Sequence, residues 1–166
     1  MAAKEAGQVP DEINPMPPLT GLTGLAQEVF LDIMRTAEVL RKDLEELLKQ
    51  SGLSSTQYNV LRILRGAGTG GCTCQEIIDR MVNRDPDMTR LLDRLEDRGL
   101  VTRARSQADR RVVRSYLTEE GLGMVEALDN PVANLHREQL GHLGEERLRA
   151  LADSLRVLRQ GLASDQ

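Results

Sequence analysis

The chain has 166 residues, a formal net charge of −4, 40% hydrophobic and 29% charged residues, as expected of a folded protein with one domain, or a small domain plus an oligomerisation element. No apolar run approaches the ~18 residues of a membrane span and the N-terminus lacks an apolar signal segment, so the expectation is a cytoplasmic protein without a membrane partner. The only aromatic residues are Phe30, Tyr58 and Tyr116, which leaves a core of aliphatic residues and methionine and suits helix packing better than a β-sandwich.

In chain order, residues 1–21 read as a flexible arm carrying Pro10, Pro15, Pro17 and Pro18. From Leu22 to Gln50 apolar residues recur at helical spacing, with Gly52 as the stop. SSTQYNVLRIL opens the next helix: Ser54 and Gln57 have capping-box spacing, and Tyr58, Leu61 and Leu64 form a stripe. GAGTGG breaks it, and Thr73 with Glu76 repeats the capping logic for a short helix bearing Ile77, Ile78 and Met81.

DPDMTRLLDRLEDRG predicts a further helix with Asp85 as N-cap, Pro86 in the first turn and Gly99 as the stop. Met88, Leu91, Leu92 and Leu95 give its buried face, and Asp87, Thr89, Arg90, Asp93, Arg94 and Asp97 its exposed one. Asp87–Arg90, Arg90–Asp93 and Arg94–Asp97 stand at ion-pair spacing. VTRAR and VVRSYLT, separated by SQADRR, then read as a β-hairpin. Thr118 caps another helix, in which Pro131 predicts a kink near Asn130, and a last helix carries Leu148, Leu151, Leu155, Leu158 and Leu162.

Charge along this chain is segregated. From Arg98 to Arg114 there are six arginines and one carboxylate, Asp109, a balance of +5, so the remainder sums to −9. Binding follows the distribution of charge rather than its sum. The order short helix, short helix, turn, helix, hairpin is that of a winged helix-turn-helix, whose second helix enters the DNA major groove. Asp87, Thr89, Arg90 and Arg94 are the candidate base-reading residues, and Arg110 and Arg111 on the wing candidate contacts to backbone or minor groove. Asp109 suits an internal brace that holds an arginine. A charged hairpin also occurs simply as a solvated, aggregation-resistant edge, but this one directly follows a capped, arginine-bearing helix.

The stretch DRRVVRSYLTEEG matches the wing signature DxRxxxxxLTxxG of the MarR family of bacterial transcription regulators at Asp109, Arg111, Leu117, Thr118 and Gly121. MTRLLDRLEDRGLV resembles that family's recognition helix and following strand, and the helix order is similar from about Leu22 to Leu162. The resemblance implies a mainly α fold: a winged helix-turn-helix over 51–118 with a two-stranded wing, and a helical dimerisation region over 22–50 and 119–166. It implies a homodimeric repressor on a pseudo-palindromic operator in double-stranded DNA, with Asp109 bracing the wing and Arg111, Thr89 and Arg90 touching DNA. It also implies that a small anionic or phenolic ligand could release the protein; Phe30, Met34 and Tyr58 are candidates for such a pocket, or simply core.

Other readings have less support. His136 and His142 are the only histidines and form no ligand cluster, so no metal and no cofactor is expected. Cys72 and Cys74 are too close for a useful structural disulfide but are candidates for redox sensing, Cys74 through its place near a helix N-terminus. Nothing assembles an enzyme site. The remaining alternative is a winged-helix dimer that binds protein.

Overall fold

The computed structural model describes residues 20–81, 87–106 and 109–164. Among them the elements are α1 (Gly21–Lys49), α2 (Ser55–Ala67), α3 (Cys74–Arg80), α4 (Met88–Asp97), β1 (Val101–Arg105), β2 (Val113–Leu117), α5 (Glu119–Leu140) and α6 (Gly144–Ser164), with single 3₁₀ turns at Gly68–Gly70 and Gly141–Leu143. The fold is mainly α with a two-stranded antiparallel sheet, as the sequence predicts. The chain divides into two compact units, one ending at Glu38 and the other running from Val39. No helix of the described residues is long and apolar enough to cross a membrane.

Helix starts follow from local chemistry. Ser54 Oγ accepts from the Gln57 amide while the Gln57 side chain accepts from the Ser54 amide, and Thr73 and Glu76 repeat this reciprocal box at α3. Each box satisfies two backbone donors that a helix start otherwise leaves open. Thr118 Oγ1 accepts from the Gly121 amide at the start of α5. The start of α4 differs from expectation. Asp85 and Pro86 lie outside the described residues, and Asp87, with non-helical φ −117° and ψ 43°, takes the N-cap position. The regular helix therefore begins at Met88. α5 continues as one helix through Pro131, although proline supplies no amide to the preceding turn.

Within the second unit, Leu48, Leu61, Leu64, Ile77, Leu95 and Val125 are fully buried at the centre of the core. The faces expected from periodicity are the ones buried: Tyr58, Leu61 and Leu64 on α2, and Met88, Leu91, Leu92 and Leu95 on α4. Burying such side chains contributes on the order of 1.5–3 kcal/mol each before entropy is counted. In contrast, among the described side chains α6 buries none, and none of α1 up to Glu38 is buried. Several of their large apolar side chains, among them Leu25, Val29, Leu158 and Leu162, are exposed in the single chain.

Candidate nucleic-acid interface

α4 presents one apolar and one polar face. With Met88, Leu91, Leu92 and Leu95 turned into the core, Thr89, Arg90, Arg94 and Asp97 are exposed. Of the three ion-pair spacings on this helix, the described residues form Asp87–Arg90, at 3.2 Å with the Arg90 side chain 77% exposed. Asp93 pairs instead with Arg103 of β1. The helix is closed by Gly99, whose φ of +70° is open to glycine at little cost and lets the Leu100 amide return to the Leu95 carbonyl. β1 follows at once, so α4 and the hairpin are joined by a turn without slack.

The hairpin pairs Val101 with Leu117 at its base and Arg105 with Val113 at its far end. Beyond that pair, the Val112 amide donates to the Asp109 carbonyl, and Asp109 Oδ1 accepts from the Arg111 amide at 2.9 Å. Asp109 thus organises the turn through backbone and holds no guanidinium among the described residues. At the middle of β2, Cys72 and Ser115 exchange two backbone hydrogen bonds, 3.0 Å and 2.7 Å, adding a one-residue rung to the sheet. Gly71 precedes it with φ +58°, and a Cβ there would meet the Ser115 carbonyl and the Tyr116 ring.

The six clustered arginines divide into two groups. Arg98 donates to the Gly52 carbonyl at 2.7 Å. Arg103 is held by Asp93 and Glu96 of α4. Arg114 donates to the Gly70 and Gly71 carbonyls and to Glu76 at 2.8, 3.0 and 3.0 Å. Arg105, Arg110 and Arg111 are exposed and make no ion pair among the described residues. The hydrogen bond to Glu96 raises the Arg103 pKa further above its already high ordinary value. The Thr73 amide, and after it the charge of Arg114, holds the Glu76 carboxyl below its ordinary range against the opposing effect of desolvation. The site therefore offers an exposed polar helix face and, on the hairpin that follows it, three guanidinium groups without an ion pair among the described residues. That combination fits a polyanion with a groove.

The remaining sequence candidates fall elsewhere. Tyr58 is 4% exposed, with the Arg62 guanidinium 5.8 Å from its ring centroid, and burial raises its hydroxyl pKa. Phe30 and Met34 are exposed on α1. Cys72 is buried in the core, with Arg80 Nη1 3.5 Å from its sulfur, and Cys74 is half-buried in the first turn of α3; both are free thiols. Among the described residues no group of three or more histidine, cysteine or carboxylate side chains could hold a metal. Sequence reasoning missed the internal work of Arg98, Arg103 and Arg114. The spacing from Glu96 to Arg103 across Gly99 was the available signal, once a strand was expected to fold back along α4.

The model of the MarR family matches residues 53–113, from the end of the α1–α2 turn to the first residue of β2. The crystal structure of a MarR transcription factor from Planctomyces limnophilus is 41% identical and aligns over 84% of this chain and 98% of that one, with a TM-score of 0.61. The chain belongs to the MarR family. It is a transcription regulator of that family and not an enzyme. The transcriptional repressor MdtR of Bacillus subtilis (strain 168) is 28% identical over 143 residues, 86% of this chain and 90% of that protein. The MarR family regulator Sco3205 from Streptomyces coelicolor, solved in complex with DNA, shares the fold at a TM-score of 0.76 and 23% identity, over 86% of this chain and 94% of that one.

Proposed function

We propose that this MarR-family protein binds a pseudo-palindromic DNA site as a homodimer and represses transcription from it. Residues 51–118 form the DNA-binding lobe, 22–50 and 119–166 the dimerisation region, and 1–21 an arm. In this reading the exposed face of α4, with Asp87, Thr89, Arg90 and Arg94, enters the major groove, where arginine pairs with guanine and a carboxylate accepts from cytosine. The wing, its turn set by Asp109, carries Arg110 and Arg111 to the backbone or minor groove. The carrying observation is the division of the arginines: Arg98, Arg103 and Arg114 are engaged inside the lobe, while Arg105, Arg110 and Arg111 stand exposed on the hairpin that follows α4. A merely solvated edge has no need of three uncompensated cations on a protein of net charge −4.

The dimer is supported by apolar surface that a single chain leaves uncovered, Leu25 and Val29 on α1 and Leu158 and Leu162 on α6. Large apolar side chains left exposed along a helix of a folded chain mark an interface, and a two-fold pair is the commonest way to cover it. Two lobes so related read half-sites about one helical turn, ~34–36 Å, apart. Repression is suggested by the Bacillus subtilis relative, a transcriptional repressor.

The test is a titration of the protein against DNA upstream of its own gene, at two salt concentrations, with Arg111→Ala and a scrambled duplex alongside. Tight, salt-sensitive, sequence-preferring binding that the substitution weakens supports the reading. Equal affinity for the scrambled duplex, and for any sequence in a selection from random DNA, overturns it in favour of a lobe that binds protein.

A further inference from the structure

The acidic residues around the proposed DNA surface pose a problem of sign. Asp93 and Glu96 lie on α4 itself, and carboxylates beside a phosphate backbone repel it. Their geometry gives them a different use. Glu96 Oε1 accepts from the Arg103 backbone amide at 3.0 Å, and Glu96 Oε2 accepts from Arg103 Nε at 2.7 Å. Asp93 Oδ1 takes the Nη2 end of the same guanidinium at 2.6 Å. One strand residue is thus gripped by backbone and side chain together, from two successive turns of the recognition helix.

Resting on the DNA-binding reading above, we propose that Asp93 and Glu96 strengthen DNA binding by holding Arg103 as a positioning residue that sets the wing against the recognition helix. The planar fork of arginine accepts carboxylates only in a narrow set of directions, so this contact transmits orientation as well as attraction. The Arg103 side chain is 27% exposed, which separates it from a freely solvated surface pair of little consequence. Arg105 stands two residues further along the same strand, on the same face as Arg103, and the paired positions 104 and 114 face the other way. There Arg114 holds the Gly70 and Gly71 carbonyls and Glu76. The hairpin is clamped on both faces, and the angle at which its exposed arginines leave the lobe follows from the two clamps.

The sign of one substitution separates this role from simple electrostatics. Glu96→Gln and Asp93→Asn each remove a negative charge, so a field effect alone tightens DNA binding. The clamp instead requires both to weaken binding, by about three- to tenfold. Arg103→Lys keeps the charge but not the fork and is expected to weaken binding as Arg103→Gln does. Arg103→Gln is expected to add little in an Arg111→Ala background, because both act through the wing. The experiment uses the full chain and the duplex that the unsubstituted protein selects from random DNA, with thermal unfolding of every variant in parallel. Asp93→Asn, on a half-exposed side chain, serves if Glu96→Gln fails to fold. Unchanged or tighter binding by folded Asp93→Asn and Glu96→Gln, or additive effects of Arg103→Gln and Arg111→Ala, overturns the proposal while leaving DNA binding intact. An unsubstituted protein that selects no duplex overturns the DNA-binding reading and this proposal with it.

Discussion

Gly121 lies so close to Leu100 that a Cβ at position 121 would overlap the Leu100 carbonyl oxygen. The first turn of α5 packs directly on the residue that leads from α4 into β1, and only a glycine leaves room. Gly121→Ala should therefore destabilise the protein by about 1–3 kcal/mol, the cost of overpacking, although alanine is the better helix former by roughly 1 kcal/mol. Denaturant unfolding measures it, and a gain in stability would show that α5 can shift without loss.

Thr118 works in two directions. Its hydroxyl accepts from the Gly121 amide and donates to the Gly99 carbonyl at 2.7 Å, tying the end of α4 to the start of α5. Thr118→Val keeps the shape and removes both bonds, and should cost about 1–2 kcal/mol. Thr118→Ser should keep most of the stability in the same unfolding measurement.

The acid side of the stability profile should depend on Glu76. Its folded pKa is lowered from 4.5, chiefly by the Thr73 amide. Near and below that value the unfolded chain binds the proton more readily than the folded one, so stability rises with pH there. Glu76 therefore contributes stability that is present above 4.5 and is lost as pH falls through its lower folded value. Glu76→Gln should be less stable at neutral pH and should lose less on acidification, as followed by melting temperature across that range.

Two arginines of the cluster should respond in opposite ways. Arg111→Ala should weaken operator binding by more than about 1 kcal/mol and flatten its salt dependence, with thermal stability unchanged. Arg98→Ala, which removes the hydrogen bond to the Gly52 carbonyl, should lower the melting temperature and leave the salt slope as it was. Equal loss of affinity in both would erase the distinction between exposed and engaged arginines.

The uncovered leucines give a prediction of assembly. Leu158 and Leu162 are 45% and 63% exposed on α6. Replacing both with glutamate should shift the sedimentation of the protein from dimer toward monomer and weaken binding to a two-half-site duplex far more than to a single half-site. An unchanged sedimentation coefficient would remove α6 from the interface.

Much of the fold was legible because its signals are local. Ser54 with Gln57, Thr73 with Glu76, and Thr118 each mark a helix start by chemistry that acts within one turn, and Met88, Leu91, Leu92 and Leu95 share a face whatever surrounds them. The site was only partly legible. Arg103, Arg105 and Arg111 look alike in a charge run, and which of them is engaged depends on where α4 places Asp93 and Glu96 in three dimensions. The Cys72–Ser115 rung had no sequence mark, since a single bridging residue carries no alternation. At the start of α4, Asp87 takes the N-cap position and the helix is regular from Met88, while the expected cap at Asp85 and Pro86 lies outside the described residues.

The rung between Cys72 and Ser115 has a consequence for the speed of recognition. It stitches the middle of β2 to the segment leading into α3, so the strand has little freedom to surrender when the lobe meets a surface. On the proposed DNA-binding reading, the ordering penalty of association then falls on long exposed side chains, Arg90 and Arg94 of α4 with Arg105, Arg110 and Arg111 of the hairpin, about 0.5–1.5 kcal/mol for each one immobilised. On the same reading, a lobe prepared in this way can take up and leave a site without refolding its own edge.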